Sequence, residues 1–459
     1  MLLFSVVSLL ANAGKCQELS AVTSDKVQQV IADGDRAADA GDYQRALIQY
    51  TKAYLSIVAK IRGQSFVRPV EPTILDRDEL RQELEQMLRQ ELTPEETRLM
   101  NATYKAFGFV SPDVDIESLM TELLTEQVAG FYDPEKERMV MIVERDQPQN
   151  PGFLARLFGA RPAFDKDEQK ATLAHELTHA LQDQLYDLDG MEARIKDDDD
   201  LLLAFSALVE GDATLVMFAE STGEDITQAD PAALRASFSL MSWLVPLSAG
   251  KSYREAPPIL RESLMFPYLE GMLFAVEIAS RQGWQGLHRA FQHPPESTEQ
   301  ILHPEKYFRD QAYDPPRKIR VPDLPQALAE KWEHVGGNCL GEFQMTVLFK
   351  PVFGGRQAAA GWDGDRYEIY ENADDKLAMV WVTVWDSPAD AQQFKRAYEA
   401  YREPRSHFED IVFPADAEQK VEVDGDQVWV VTGFDAAETT RIIERLPACE
   451  ITPKHFPQR

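Results

Sequence analysis

The stretch AHELTHALQD, Ala174 to Asp183, decides how the rest of this chain is read. Two histidines stand four apart, His175 and His179, and Glu176 directly follows the first. Helix-forming residues flank them on both sides, so the pattern predicts a helix. At 3.6 residues per turn, both imidazoles lie on one face and can reach a single cation. Glu176 is rotated about 100° from His175. It borders that face without ligating, where a carboxylate can take a proton from an activated water. Leu173, Leu177, Ala180 and Leu181 supply the side that packs. Neutral imidazole suits Zn2+, whose catalytic sites keep one of four positions for water. That ion lowers the pKa of the water to about 7 and polarises a carbonyl.

Three fixed residues recur by chance in a chain this long at roughly the per cent level, so a third ligand decides. DDDDLLLAFSALVEGDATLVMFAE, Asp197 to Glu220, begins with acids that suit a helix N-terminus and continues as an apolar helix. Glu210 lies inside it. An unpaired buried carboxylate costs several kcal/mol, and a cation would remove that cost. Gly211 beside it allows a close helix approach. Glu220 competes, but it sits nearer the helix end and reads as solvated. Glu210 is therefore the third ligand expected.

HELTHALQD, with a glutamate on a following helix, resembles the zinc helix of the thermolysin-like metallopeptidases, the gluzincins. VEGDA, Val209 to Ala213, is similar to the third-ligand segment of aminopeptidase N-type members. FPYLEGMLF, Phe266 to Phe274, resembles their P-Y-x-x-G segment. The resemblance runs from Leu123 to Ala279. It implies His175, His179 and Glu210 as ligands and Glu176 as general base. It implies Tyr268 as the donor to the oxyanion of the tetrahedral intermediate. It also implies that a strand before the zinc helix, here Met139 to Val143, is an edge that pairs with an extended peptide. There are departures. Glu210 lies 31 positions after His179, more than in the best-known gluzincins, with an acidic loop, Asp187 to Asp200, between them. Thr214 stands where thermolysin has an aspartate that orients a zinc histidine, leaving Asp183 or Asp212 as substitutes. No GxMEN-type segment is present to hold a free amine, so an endopeptidase is expected rather than an aminopeptidase. In HPPESTEQILHPEKYF, His293 to Phe308, Ser297 and Gln300 read as a capping box. His303 in that stretch is a candidate second oxyanion donor.

The 459 residues suggest two or three domains. With 77 acidic residues against 47 basic ones, the chain lacks the positive footprint that nucleic acid requires. Residues 1–13, an apolar run ending in Ala11-Asn12-Ala13, read as a secretory signal, although no basic residue precedes the run. The run is shorter than the about 20 residues that span a bilayer. An extracytoplasmic protein is expected, periplasmic or secreted, with no membrane-spanning segment once the signal is removed. Lys15 before Cys16 argues against lipidation there. AGDYQRALIQYTKAYL, Ala40 to Leu55, has the small and aromatic spacing of a tetratricopeptide repeat. One copy cannot form a solenoid, so residues 14–62 read as a TPR-like hairpin docked on the next domain, with a protein partner as the other use. Residues 78–92, 95–107 and 116–128 read as helices, and Thr93 and Glu96 as a capping box. Beyond residue 335 the chain turns β-rich, with two weakly similar stretches, 364–398 and 425–446. Cys339 and Cys449 are either a disulfide or two separate thiols.

The expected fold class is α+β: a mainly helical zincin-like catalytic domain with a short edge sheet at 63–330, after the hairpin and before a small α+β domain at 335–459. The expected function is zinc-dependent hydrolysis of peptide bonds in a peptide or protein. The alternatives are an extracytoplasmic binding or scaffold protein with a structural zinc, and a hydrolase of a non-protein amide.

Overall fold

Helix α1 (Asp25–Asp39) and helix α2 (Tyr43–Arg62) form a hairpin. The structure is a computed structural model. It describes residues 25–91, 93–127, 130–134, 136–142, 166–223, 226–242, 251–323, 328, 330–403 and 409–457. The expected signal and Cys16 lie outside the described residues. Small residues of α2 sit beside its aromatics, as the repeat-like spacing required. Ala46, Tyr50, Ala53 and Tyr54 are buried in one apolar cluster with Leu173, Ala174, Leu177 and Leu181. The hairpin thus spends its aromatic face on the helix that carries the two histidines.

A three-stranded sheet follows, built from β1 (Glu71–Leu75), β2 (Gly130–Asp133) and β3 (Arg138–Ile142). Between them run α3 (Arg77–Glu91), α4 (Pro94–Phe107) and α5 (Ile116–Gln127), and α4 opens with the expected reciprocal bonds of Thr93 and Glu96. The strand order is β1-β3-β2. The strand expected to be an open edge is the middle one: β3 pairs in parallel with β1 and antiparallel with β2. Its apolar residues Met139 to Ile142 are buried, which fits a central strand. The partner that closes one side, EPTIL at Glu71–Leu75, comes from far upstream.

Three long helices follow, α6 (Lys166–Tyr186), α7 (Asp199–Thr222) and α8 (Pro258–Gln282); α7 and α8 build the main core, and most apolar residues of α6 belong to the cluster it shares with the hairpin. α7 and α8 meet backbone to backbone. A Cβ on Gly211 would lie 2.1 Å from the Gly271 oxygen, and one on Gly271 2.2 Å from the Ala207 oxygen. Glycine is required at both positions. Among the described residues α7 is long and apolar enough to cross a membrane, but 89% of its apolar stretch is buried inside the protein.

The C-terminal part is α+β. Strand β4 (Arg317–Arg320) pairs with the last strand, and β5 (Trp332–Asn338), β6 (Trp362–Asn372), β7 (Leu377–Trp385), β8 (Gln419–Asp424) and β9 (Gln427–Thr432) form an antiparallel sheet in the order β5-β6-β7-β9-β8. β10 (Glu450–Pro453) closes back on β4. The first of the two similar stretches holds a hairpin and a helix, β6, β7 and α9 (Pro388–Arg402); the second holds a single strand and a helix, β9 and α10 (Ala436–Ile443), with β8 lying before it.

This part also grips the start of α7. Asp198 caps that helix by accepting from the Leu201 N–H at 2.9 Å. Lys454, beyond β10, places its Nζ 3.1 Å from Asp198 and 3.2 Å from Asp200. The acidic stretch is therefore partly interior. Cys339 and Cys449 are separate thiols, and Cys339 donates to Asp198.

Candidate metal centre

His175 and His179 project from successive turns of α6, and Glu210 from the middle of α7. Their donor atoms form a triangle. The two Nε2 atoms are 3.0 Å apart, and Glu210 Oε2 lies 3.0 Å from His175 Nε2 and 3.5 Å from His179 Nε2. A tetrahedral zinc with bonds near 2.0 Å has ligand-to-ligand edges of about 3.3 Å. The triangle is the face of such a tetrahedron to within a few tenths of an ångström. Glu210 Oε2 makes no hydrogen bond of sound geometry, despite its closeness to two ring nitrogens. The three donor atoms lie close enough together to share one ion, so the group fits a cation. The donors are enclosed: His175, His179 and Glu210 are 1%, 2% and 0% exposed.

The electrostatics are those of a desolvated cluster. Burial pushes the His175 imidazole down. Burial acts the same way on His179, but the Glu210 charge outweighs it and holds that ring up at about 9. Burial would raise Glu210, yet the facing imidazoles keep it below the ordinary glutamate value. Glu176 is pushed up to about 8 by burial, which His179 and a backbone hydrogen bond from Tyr132 on β2 only partly offset. Its Oε2 has no hydrogen-bond partner among the described residues.

Tyr268 comes from α8, one residue after Pro267, which lies inside that continuous helix. Its hydroxyl donates to Glu210 Oε1 at 3.1 Å, and its ring stacks toward His175 with centroids 6.2 Å apart. His303 is placed elsewhere. Its Nε2 lies 3.0 Å from Glu342 Oε1, and no bond among the described residues joins it to the triangle. Glu342, brought in by the C-terminal part, is its partner there, and as an oxyanion donor His303 would have to leave that carboxylate. The capping box there is half formed. Ser297 accepts from the Gln300 N–H, but the Gln300 side chain accepts from Glu296 instead. Glu220 is half-buried, and Tyr54 donates to it at 2.7 Å.

The residue that orients His179 is one the sequence reading missed. Gln182 Oε1 lies 2.9 Å from His179 Nδ1. The amide nitrogen of Gln182 donates to the Val209 carbonyl at 3.0 Å and to Asp212 Oδ2 at 2.9 Å. Asp212 therefore reaches the histidine through Gln182. Asp183 instead accepts from the Tyr132 hydroxyl. The signal was available: Gln182 lies three residues after His179, on the same helix face. A second acidic group, Glu299, Asp314 and Asp386, also converges. Lys306 Nζ sits on all three, at 2.6, 2.9 and 2.6 Å, so an ammonium already balances it.

Residues 330–443 match a family described as a domain of unknown function (DUF8575). That stretch holds the five-stranded sheet with α9 and α10, and none of His175, Glu176, His179, Glu210 or Tyr268. No curated protein and no solved structure matches the chain.

Proposed function

We propose that this chain is a zinc-dependent peptide-bond hydrolase of the gluzincin type, most simply an exported endopeptidase, with a zincin-like domain around α6, α7 and α8. The carrying observation is the donor triangle of His175, His179 and Glu210 with Glu176 directly beside it. Three protein donors leave one position of a tetrahedron open, which suits catalysis. A zinc ion held there would supply Lewis acidity and lower the pKa of a water to about 7. The protein contributes the rest. Glu176 Oε2 takes the proton of the attacking water and returns it to the departing amine nitrogen as the C–N bond breaks. A positive charge in the triangle favours the ionised Glu176 that this requires. The Tyr268 hydroxyl, which donates to Glu210 in the free site, would turn from that carboxylate to donate to a developing oxyanion, an interaction worth about 3 kcal/mol in a transition state.

Glu176→Gln tests this. The variant should keep its zinc and lose nearly all cleavage of casein. Full cleavage by a zinc-loaded Glu176→Gln chain rules the mechanism out. One observation favours a second reading, a structural zinc in a binding protein: every donor and Glu176 itself is almost fully enclosed. That reading expects no hydrolysis by the unsubstituted chain and no loss of folding in Glu176→Gln.

A further inference from the structure

Arg62, the last residue of α2, is buried against Asp212, two residues beyond Glu210. Its Nη2 lies 3.3 Å from Asp212 Oδ2, with side chains 1% and 0% exposed. The chemistry proposed above does not use this pair. Nor is it explained as glue, because apolar replacements for buried ion pairs are often neutral or stabilising. Its position gives it another use.

Gln182 stands between Asp212 and His179. Its Nε2 has two acceptors to satisfy, the Val209 carbonyl and Asp212 Oδ2, both on α7. That fixes the amide, with nitrogen toward α7 and oxygen toward His179. An amide oxygen only accepts, so Nδ1 of His179 carries the proton and Nε2 is the lone-pair side. Nε2 is the atom that faces His175 and Glu210. With the amide flipped, Gln182 Oε1 would face a carboxylate and a carbonyl with no proton between them. Its nitrogen would then donate to Nδ1 and leave the proton on Nε2, where no cation can bind. Asp212 blocks that flip, and the Arg62 guanidinium stands against Asp212 at ion-pair distance, without a hydrogen bond.

We propose that Arg62 is a positioning residue for the zinc ligand His179, acting through Asp212 and Gln182. The N-terminal hairpin is then a built-in part of the metal centre rather than a free docking module. This rests on reading the triangle as a zinc site, and the test separates the two. Zinc affinity is measured by chelator competition in two variants. Arg62→Met combined with Asp212→Asn removes both buried charges together, and Gln182→Met leaves the ion pair intact. Each should bind zinc about 10–100-fold more weakly than the unsubstituted chain. Arg45→Ala, on the exposed side of α2, should bind as the unsubstituted chain does. Unchanged affinity in either relay variant overturns the proposal. The 15N spectrum of the zinc-loaded, unsubstituted chain gives a check without substitution: the proton of His179 should be on Nδ1 and the ion on Nε2, and the reverse overturns it. If the unsubstituted chain takes up no zinc, the zinc reading has failed, and the relay is read in the zinc-free chain. There the Gln182 side-chain amide hydrogens should exchange slowly, and fast in the Arg62→Met, Asp212→Asn chain. Equal exchange in the two would overturn the relay.

Discussion

Substituting Gly211 by alanine tests whether the crossing of α7 and α8 sets the site. Two effects oppose each other. Alanine in a helix interior is favoured over glycine by about 1 kcal/mol, so in open space Gly211→Ala would stabilise the chain. The space is not open. A Cβ there would stand 2.1 Å from the Gly271 oxygen and 2.2 Å from its carbonyl carbon, where ordinary contacts begin near 3.4 Å. Both are backbone atoms, so no side chain can rotate away, and the helices must separate by about 1 Å. Overpacking of this kind costs about 1–3 kcal/mol, and a backbone clash belongs at the upper end. After the propensity gain, a net loss of about 1–2 kcal/mol is expected. Glu210 and Tyr268 ride on opposite helices of this crossing. A 1 Å displacement between them is of the size that costs about 100-fold in rate. Urea unfolding of the zinc-free chain gives the stability, and peptide cleavage by the zinc-loaded chain gives the rate. A Gly211→Ala chain that is more stable than its parent would refute the close-packing argument, because only open space yields that sign.

Two further perturbations probe separate parts of the account. Lys454→Met leaves Asp198 and Asp200 without their ammonium at the start of α7, and should destabilise the chain by about 3–5 kcal/mol in urea unfolding; a loss under 1 kcal/mol would show that this grip contributes little. In the zinc-free chain, burial holds the Glu176 carboxyl near 8 against an ordinary 4.5. A raised acid is neutral in the fold below 4.5, so its contribution is intact there and is lost as pH climbs through 8. Glu176→Gln should therefore match its parent below pH 4.5 and gain on it up to about pH 8, by at most about 5 kcal/mol. Parallel stability–pH curves for the two chains would mean that Glu176 is not desolvated.

The metal group was legible because it is mostly local chemistry. His175 and His179 are fixed on one face by helix periodicity alone, and a lone carboxylate in the apolar run around Glu210 needed a partner. The close approach at Gly211 followed from its lack of a side chain. The docked hairpin was readable from the small and aromatic spacing around Tyr50. What escaped the reading depends on distant partners. β3 looked like an edge because its parallel partner, Glu71–Leu75, lies far upstream. The contact of His303 with Glu342 could not be read locally, because Glu342 approaches it from the C-terminal part. The acids Asp198 and Asp200 read as the end of an acidic loop running into a helix N-terminus, and nothing local announces that Lys454 folds back onto them. Gln182 was overlooked because an amide three residues from a histidine is ordinary on a helix until Asp212 and Arg62 are seen behind it.

The most direct measurement of the central claim is the zinc content of the purified chain, set beside that of Glu210→Ala. The account predicts one zinc per chain in the parent and little or none in the variant, with both still folded. A parent that carries no zinc when supplied with it, or a variant that holds as much as the parent, would contradict the convergence of His175, His179 and Glu210 on one ion.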